Sequence, residues 1–224
     1  MNKRMVWTVA VLALWGCGSH EAGPSQDPAK MGAGSQMRLN DKPLTANTRF
    51  AAGQLAEAQG AFDVAIVEYQ EALKLDPKHQ PTLFRLGIVY TVTQQFDPAI
   101  EIWQRYIKVT QGSAAAYSNL AFCYEQAGRF DDAKKAYETG IAKEPKSVVC
   151  RTNYGLMLAR QGHVPEAVRI WQPVLSEAEI HYNLASVFQL QGRKAAARAE
   201  YQKALELDPK MVEARTRLAG LDAK

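Results

Sequence analysis

The sequence predicts an all-α fold, an α-α superhelix (solenoid) of five helix pairs closed by one further helix, and three observations predict it. A short phrase recurs: VEYQEALKLDP ends at Pro77 and AEYQKALELDP at Pro209. Behind it lies a period, because Ala65, Ala99, Ala133, Ala167 and Ala197 follow one another at 34, 34, 34 and 30 residues, each with an aromatic four positions on: Tyr69, Trp103, Tyr137, Trp171 and Tyr201. A small residue stands twelve positions before each alanine (Gly53, Gly87, Ala121, Gly155, Ala185), and Gly60, Gln94, Gly128, Gly162 or Gly192 stands five before it. A fixed period in this range is the mark of stacked helical hairpins, none of which can bury its apolar face alone.

Residues 1–16 read as a secretory signal. Lys3 and Arg4 precede the apolar run Met5 to Trp15, which stops at Gly16 and is far too short to span a bilayer, for which about 20 residues are needed. Leu14-Trp15-Gly16-Cys17 resembles the bacterial lipobox, which implies cleavage before Cys17 and lipidation of its sulfur. Trp15 is bulkier than that pattern usually allows, and ordinary signal cleavage at the small-x-small Gly16-Cys17-Gly18 is the alternative. Gly18 after the cysteine resembles the default sorting signal for an outer membrane.

Residues 17–45 follow as the lipidated cysteine and a disordered tether, rich in glycine and proline and without an aromatic side chain. Its expected reach is on the order of 30 Å.

Residues 46–209 hold the five repeats. Tyr117, Leu120, Ala121, Tyr124, Gly128, Ala133, Tyr137 and Pro145 of the third resemble the tetratricopeptide repeat most fully. Small residues at the eighth and twentieth positions let the two helices of a repeat approach closely, and the aromatic at the twenty-fourth fills the space beside them. Pro98 and Pro165 suit the first turn of a second helix, and Pro77, Pro145 and Pro209 its end. The four residues missing between Trp171 and Ala185, together with Pro173, predict a kink in the fourth second helix. The second repeat departs by carrying Tyr106 where a small residue is usual and Gln111 in place of proline. Residues 210–224 form a capping helix, with Ala214, Leu218 and Leu221 on one stripe. The first repeat has no equivalent cap, which predicts a frayed amino-terminal end.

The resemblance assigns the concave groove to positions two, five, nine, twelve and thirteen of each repeat. Here they include Phe50, Phe84, Ile88, Val92, Phe122, Leu156, Tyr182 and Leu190, an apolar set opposite a polar back that shows Lys134, Lys135 and Glu138. Such a groove suits an amphipathic helix or an extended hydrophobic segment of another protein. The alternative is that several of these side chains merely pack between repeats. Relatives that clamp a terminal carboxylate carry a basic residue at position five; Phe50, Phe84, Ser118, Thr152 and Tyr182 stand there instead. Asn119, Asn153 and Asn183, at position six, read as helix-packing residues.

The remaining composition excludes several classes. Among 224 residues, 47% are hydrophobic and 22% charged, and the formal charge of +4 falls to +2 without Lys3 and Arg4, which is no nucleic-acid footprint. The four histidines, His20, His79, His163 and His181, have no partner at metal-ligand spacing, and no nucleophile elbow, phosphate loop or haem motif occurs. The sequence therefore predicts no enzyme, cofactor or metal. Cys123 and Cys150 fall about 10 Å out of step on neighbouring helices, beyond the ~7 Å a disulfide allows, and read as buried small hydrophobes. What remains is a membrane-tethered adaptor that binds other proteins, and the lipoproteins it resembles include pilus-assembly factors and envelope adaptors. Two alternatives stand beside it. One is a non-catalytic recognition subunit of an envelope hydrolase or protease complex. The other is self-association, with arrays stacking end to end through the uncapped first repeat.

Overall fold

The computed structural model describes residues 44–222, so the signal, Cys17 and nearly all of the tether lie outside the described residues. From Leu44 onward the chain is one compact unit of eleven helices. They pair as α1 (Ala46–Ala58) with α2 (Phe62–Leu75), α3 (Gln80–Val92) with α4 (Phe96–Thr110), α5 (Ala114–Gln126) with α6 (Phe130–Lys143), α7 (Val148–Arg160) with α8 (Val164–Trp171), and α9 (Glu177–Leu190) with α10 (Lys194–Leu207). The last, α11 (Val212–Asp222), packs on α10 through buried Ala214 and Leu221. Five hairpins and a terminal helix are the fold the period predicts.

Three of the five hairpins close on the same glycine-to-aromatic contact. A Cβ added to Gly53 or Gly155 would overlap the ring of Tyr69 or Trp171, and one on Gly87 would stand 2.8 Å from Trp103. The glycine at position eight thus exists to admit the aromatic at position twenty-four, which is wholly buried in every repeat. Position fifteen turns the chain from first helix to second through the left-handed region. Gly60, Gly128, Gly162 and Gly192 have φ between 73° and 88°, and Gln94 takes the same conformation at φ 60°. A second departure lies in the same repeat: α4 ends on Gln111 at φ 64°, in the place where a proline would have stopped the helix.

One expectation is corrected. Pro173 does not kink the fourth second helix, because α8 is only 8 residues long and stops at Trp171, two residues before it. Gln172 keeps helical geometry before Pro173, at φ −47° and ψ −37°, but the missing four residues leave no room for a longer helix. The amides of Val174 and Leu175 instead bond the Trp171 carbonyl at 2.9 Å, and the chain turns straight into α9. The start of α1 carries a side-chain cap that the sequence reading did not foresee. Thr45, which the sequence places in the tether, caps α1 by accepting from the Thr48 amide at 3.2 Å, while the Thr48 hydroxyl oxygen accepts from the Thr45 amide at 2.9 Å.

Beyond the hairpins, α1 packs on α3, α5 on α7 and α7 on α9, and each second helix packs on the first helix that follows it. The first helices thus share one side of the array, the side that the sequence assigns to the concave groove. The polar links agree: Gln70 donates to the Tyr90 hydroxyl at 2.8 Å and Gln104 to that of Tyr124 at 2.7 Å, each from a second helix to the next first helix.

Substituting Gly155→Ala drives a methyl into the buried Trp171 indole and should destabilise the array by about 1–3 kcal/mol, despite the helix propensity gained; urea denaturation reads the loss. Gln94→Gly relieves the left-handed strain and should stabilise it by about 0.5–1 kcal/mol, read as a higher denaturation midpoint.

Candidate functional site

The eight groove residues all lie on first helices: Phe50 on α1, Phe84, Ile88 and Val92 on α3, Phe122 on α5, Leu156 on α7, and Tyr182 and Leu190 on α9. The structure sorts them by depth. Val92 and Leu190 are 47% and 64% exposed, whereas the other six are half-buried. Phe84 sits edge-on to Trp103 at 5.7 Å and against Tyr106 at 5.6 Å, which explains the large residue in place of a small one at Tyr106. Phe50 leans on Tyr69 and His79, and Tyr182 on Tyr201. Much of the apolar set therefore serves its own hairpin with one side and the concave side with the other.

Position twelve of these helices carries a device the sequence reading missed. The Tyr69 hydroxyl donates to Glu57 Oε2 at 2.7 Å, Trp103 Nε1 to the Thr91 hydroxyl at 3.2 Å, and the Tyr201 hydroxyl to Gln189 Oε1 at 2.7 Å. Each spans twelve residues, from the buried aromatic back to position twelve of its own first helix. In the fourth repeat that position is Ala159, and Trp171 Nε1 turns to the Thr152 carbonyl at 3.1 Å. Residue type varies too much at position twelve for an identity pattern to show; the signal is only that a polar acceptor recurs there.

In two repeats the same position also reaches the next one. Glu57 accepts from Arg85 through both oxygens, and Glu125 accepts from Arg160 Nε at 3.0 Å and Nη2 at 2.7 Å. Asn153 donates to Ser118 at 3.0 Å along the same joint, in keeping with a packing role. These pairs neutralise the charges along the concave side as well as joining repeats.

The joint made by Glu125 and Arg160 is less complete than that made by Glu57 and Arg85. Glu125 uses a single oxygen for Arg160, so its Oε2 is buried without a partner, as are the Tyr137 hydroxyl and Thr152 Oγ1. Burial holds the Glu125 carboxyl above its usual range despite Arg160, and burial with the nearby Glu125 charge pushes the Tyr137 hydroxyl far up. Cys123 and Cys150 are buried free thiols, each raised to about 11 by burial, with Cys150 donating to the Tyr137 carbonyl.

The remaining candidates settle into structural roles. His79 bridges Thr82 and Asn47, and His181 pairs with Glu200. Among the described residues no three His, Cys, Asp or Glu side chains converge on a common point, and no helix is long and apolar enough to cross a membrane.

Stacked hairpins with this packing define a helical-repeat class of protein. Family models described as tetratricopeptide repeat match residues 49–121, 114–147, 148–173 and 178–211, together well over half of the chain, and the chain belongs to that family. Its members bind other proteins or peptides. Human tetratricopeptide repeat protein 7B is 30% identical over 89 residues, 40% of this chain but only 10% of that protein's length. Among solved structures, the MamA protein superposes with a TM-score of 0.61 at 23% identity, covering 75% of this chain and 94% of its own. YrrB, described as a TPR protein with an unusual peptide-binding site, superposes at 0.55 and 18% identity, covering 77% of this chain and 91% of its own. At these identities the structural likenesses speak for the fold.

The Glu125 joint yields a pH signature. A carboxyl raised in the folded state favours folding in its uncharged form, so its contribution is fully present below the unfolded value of 4.5 and is lost as pH rises through the folded value. Glu125→Gln, uncharged throughout, should be no less stable than the parent at about pH 8 and should lose that segment of the pH dependence; denaturation midpoints across the range would show the two curves converging toward acid. Parallel curves would contradict it.

Proposed function

We propose that this chain is a membrane-tethered scaffold, without catalysis of its own, whose concave side holds other proteins or peptides and recruits them to an assembly in a bacterial cell envelope, such as pilus or secretion machinery. The observation that carries the binding part is the chemistry of the first helices. Exposed Val92 and Leu190 and half-buried Ile88, Phe122 and Leu156 run beside ionic groups that are already paired, Glu57 with Arg85 and Glu125 with Arg160. An apolar side chain laid there displaces water without stranding a charge. The peptide-binding site named for YrrB supports the same use of the fold.

Tethering rests on the sequence: the basic start, the apolar run and Cys17. A lipid on the cysteine would hold the repeats at the envelope surface through residues 18–43, with a free path for partners to the concave side.

Photo-crosslinkers placed in living cells at Phe84, Phe122 or Leu156 should capture a defined polypeptide that Lys135, on the exposed back of α6, does not. Capture of the same proteins from both faces would remove the groove reading. Mass spectrometry of the mature chain should find acyl groups on Cys17, lost with Cys17→Ser together with membrane fractionation; an unmodified Cys17 would remove the tether.

A further inference from the structure

The two ends of the array are built differently. At the far end α11 shows Glu213, Arg215, Thr216 and Arg217 to solvent, a charged finish to the stack. Among the described residues nothing comparable precedes α1. Positions three, seven and ten of a first helix face the preceding repeat, and in α3, α5, α7 and α9 all of them are buried; position ten is Val89, Cys123, Met157 and Val187, none more than 2% exposed. In α1 the same positions are Thr48, Ala52 and Leu55, all exposed, with Leu55 at 62%.

The second helix repeats the contrast more sharply. Positions nineteen and twenty-two also face backward, since Pro98 and Glu101 line a cleft with Gln70, Leu73 and Lys74 of the preceding repeat. Internal repeats put polar or small residues there: Pro98 and Glu101, Asp132 and Lys135, Glu166 and Arg169, Ala196 and Ala199. The first repeat, with no preceding repeat in the described structure, carries Val64 and Val67, 54% and 53% exposed. A face meant for water would be the more polar of the set, and this one is the more apolar.

We propose that the open face of α1 and α2 is a dimerisation surface on which a second copy of this chain packs about a two-fold axis. The face chooses its partner by charge and by symmetry. Thr48, Ala52, Leu55, Val64 and Val67 bear no charge, and Glu71, which stands where Arg105 lines the same cleft one repeat on, is already paired with Lys74, so two copies meet there without an unpaired like charge. The charged end at α11 is a poor match for it, which disfavours the open head-to-tail stacking that the sequence offers as an alternative and leaves the closed, self-complementary pair. Helices of 13 and 14 residues lying side by side, about 20 Å long and 10 Å wide, offer on the order of 400 Å² per copy. That is about half of what a standard interface buries on each side, so the pair is weak and reversible. It is independent of what the concave side binds.

Sedimentation equilibrium of the full-length chain, in a density-matched detergent from low to high micromolar concentration, tests it. The mass should climb from that of a 24.8 kDa monomer toward twice that value. Val64→Asp with Val67→Lys installs the residues the third repeat carries at these positions, so folding is retained, with an unchanged helical circular dichroism spectrum, and the chain should stay monomeric. Copies with Val67→Lys and with Val67→Glu should be monomeric apart and dimeric when mixed. A parent chain that remains monomeric throughout, a double variant that dimerises like the parent, or larger species that grow without limit would each overturn the proposal. A monomer whose α2 amides are nonetheless slow to exchange would hand the face to another segment or partner, and would overturn it too.

Discussion

A helical hairpin of some thirty residues has more apolar surface than it can cover by itself. Folding its two helices together buries the aromatic at position twenty-four, but positions three, seven and ten of the first helix still look outward and need a neighbour. That single shortage accounts for the stacking. It also explains why the array must end somewhere on a helix that tolerates water. α11 meets the last requirement with Ala214, Leu218 and Leu221 turned inward and charge turned outward. The first hairpin does not meet it, and the unused face is the direct remainder of the same rule.

Within that frame, polar groups decide how the repeats join. An aromatic hydroxyl or indole buried in the hairpin must keep a hydrogen bond or lose on the order of 1–3 kcal/mol, and position twelve is where the bond is found. Because this position lies at the edge of the concave side, the same residue can reach forward to the next repeat. Glu57 does both at once, holding Tyr69 and Arg85. Glu125 holds only Arg160 and leaves Tyr137 alone, so the third joint carries an internal polar mismatch that the first does not. The stacking of Tyr137 on Tyr154, with centroids 5.3 Å apart and planes 17° from parallel, supplies apolar contact where the hydrogen bond is missing.

The number of hairpins, their order and their packing core were legible in the sequence because small and aromatic residues at fixed intervals report a steric requirement that few side chains meet. Gln94 shows the limit of that legibility: a residue type that does not advertise a left-handed turn takes one because its neighbours leave no other path. Pro173 was misread as a kink, since a proline in helical register can bend a helix or end it, and only the length available afterwards decides. The Thr45 and Thr48 cap escaped notice because threonine stands where glutamate or glutamine usually completes such a box. For the groove, the sequence placed eight side chains on the right helices but could not say how far each is drawn into its own hairpin; the ring contacts of Phe50, Phe84 and Tyr182 determine that.

Native-state hydrogen exchange, followed helix by helix at a concentration where the chain is monomeric, tests the nearest-neighbour account most directly. If each hairpin depends on its neighbours, amides in α5, α6 and α7 exchange last and those in α1, α2 and α11 first, with protection falling toward both ends. Protection that is uniform along the chain, or greatest in α1 and α2, would mean that the hairpins stand on their own and would contradict it.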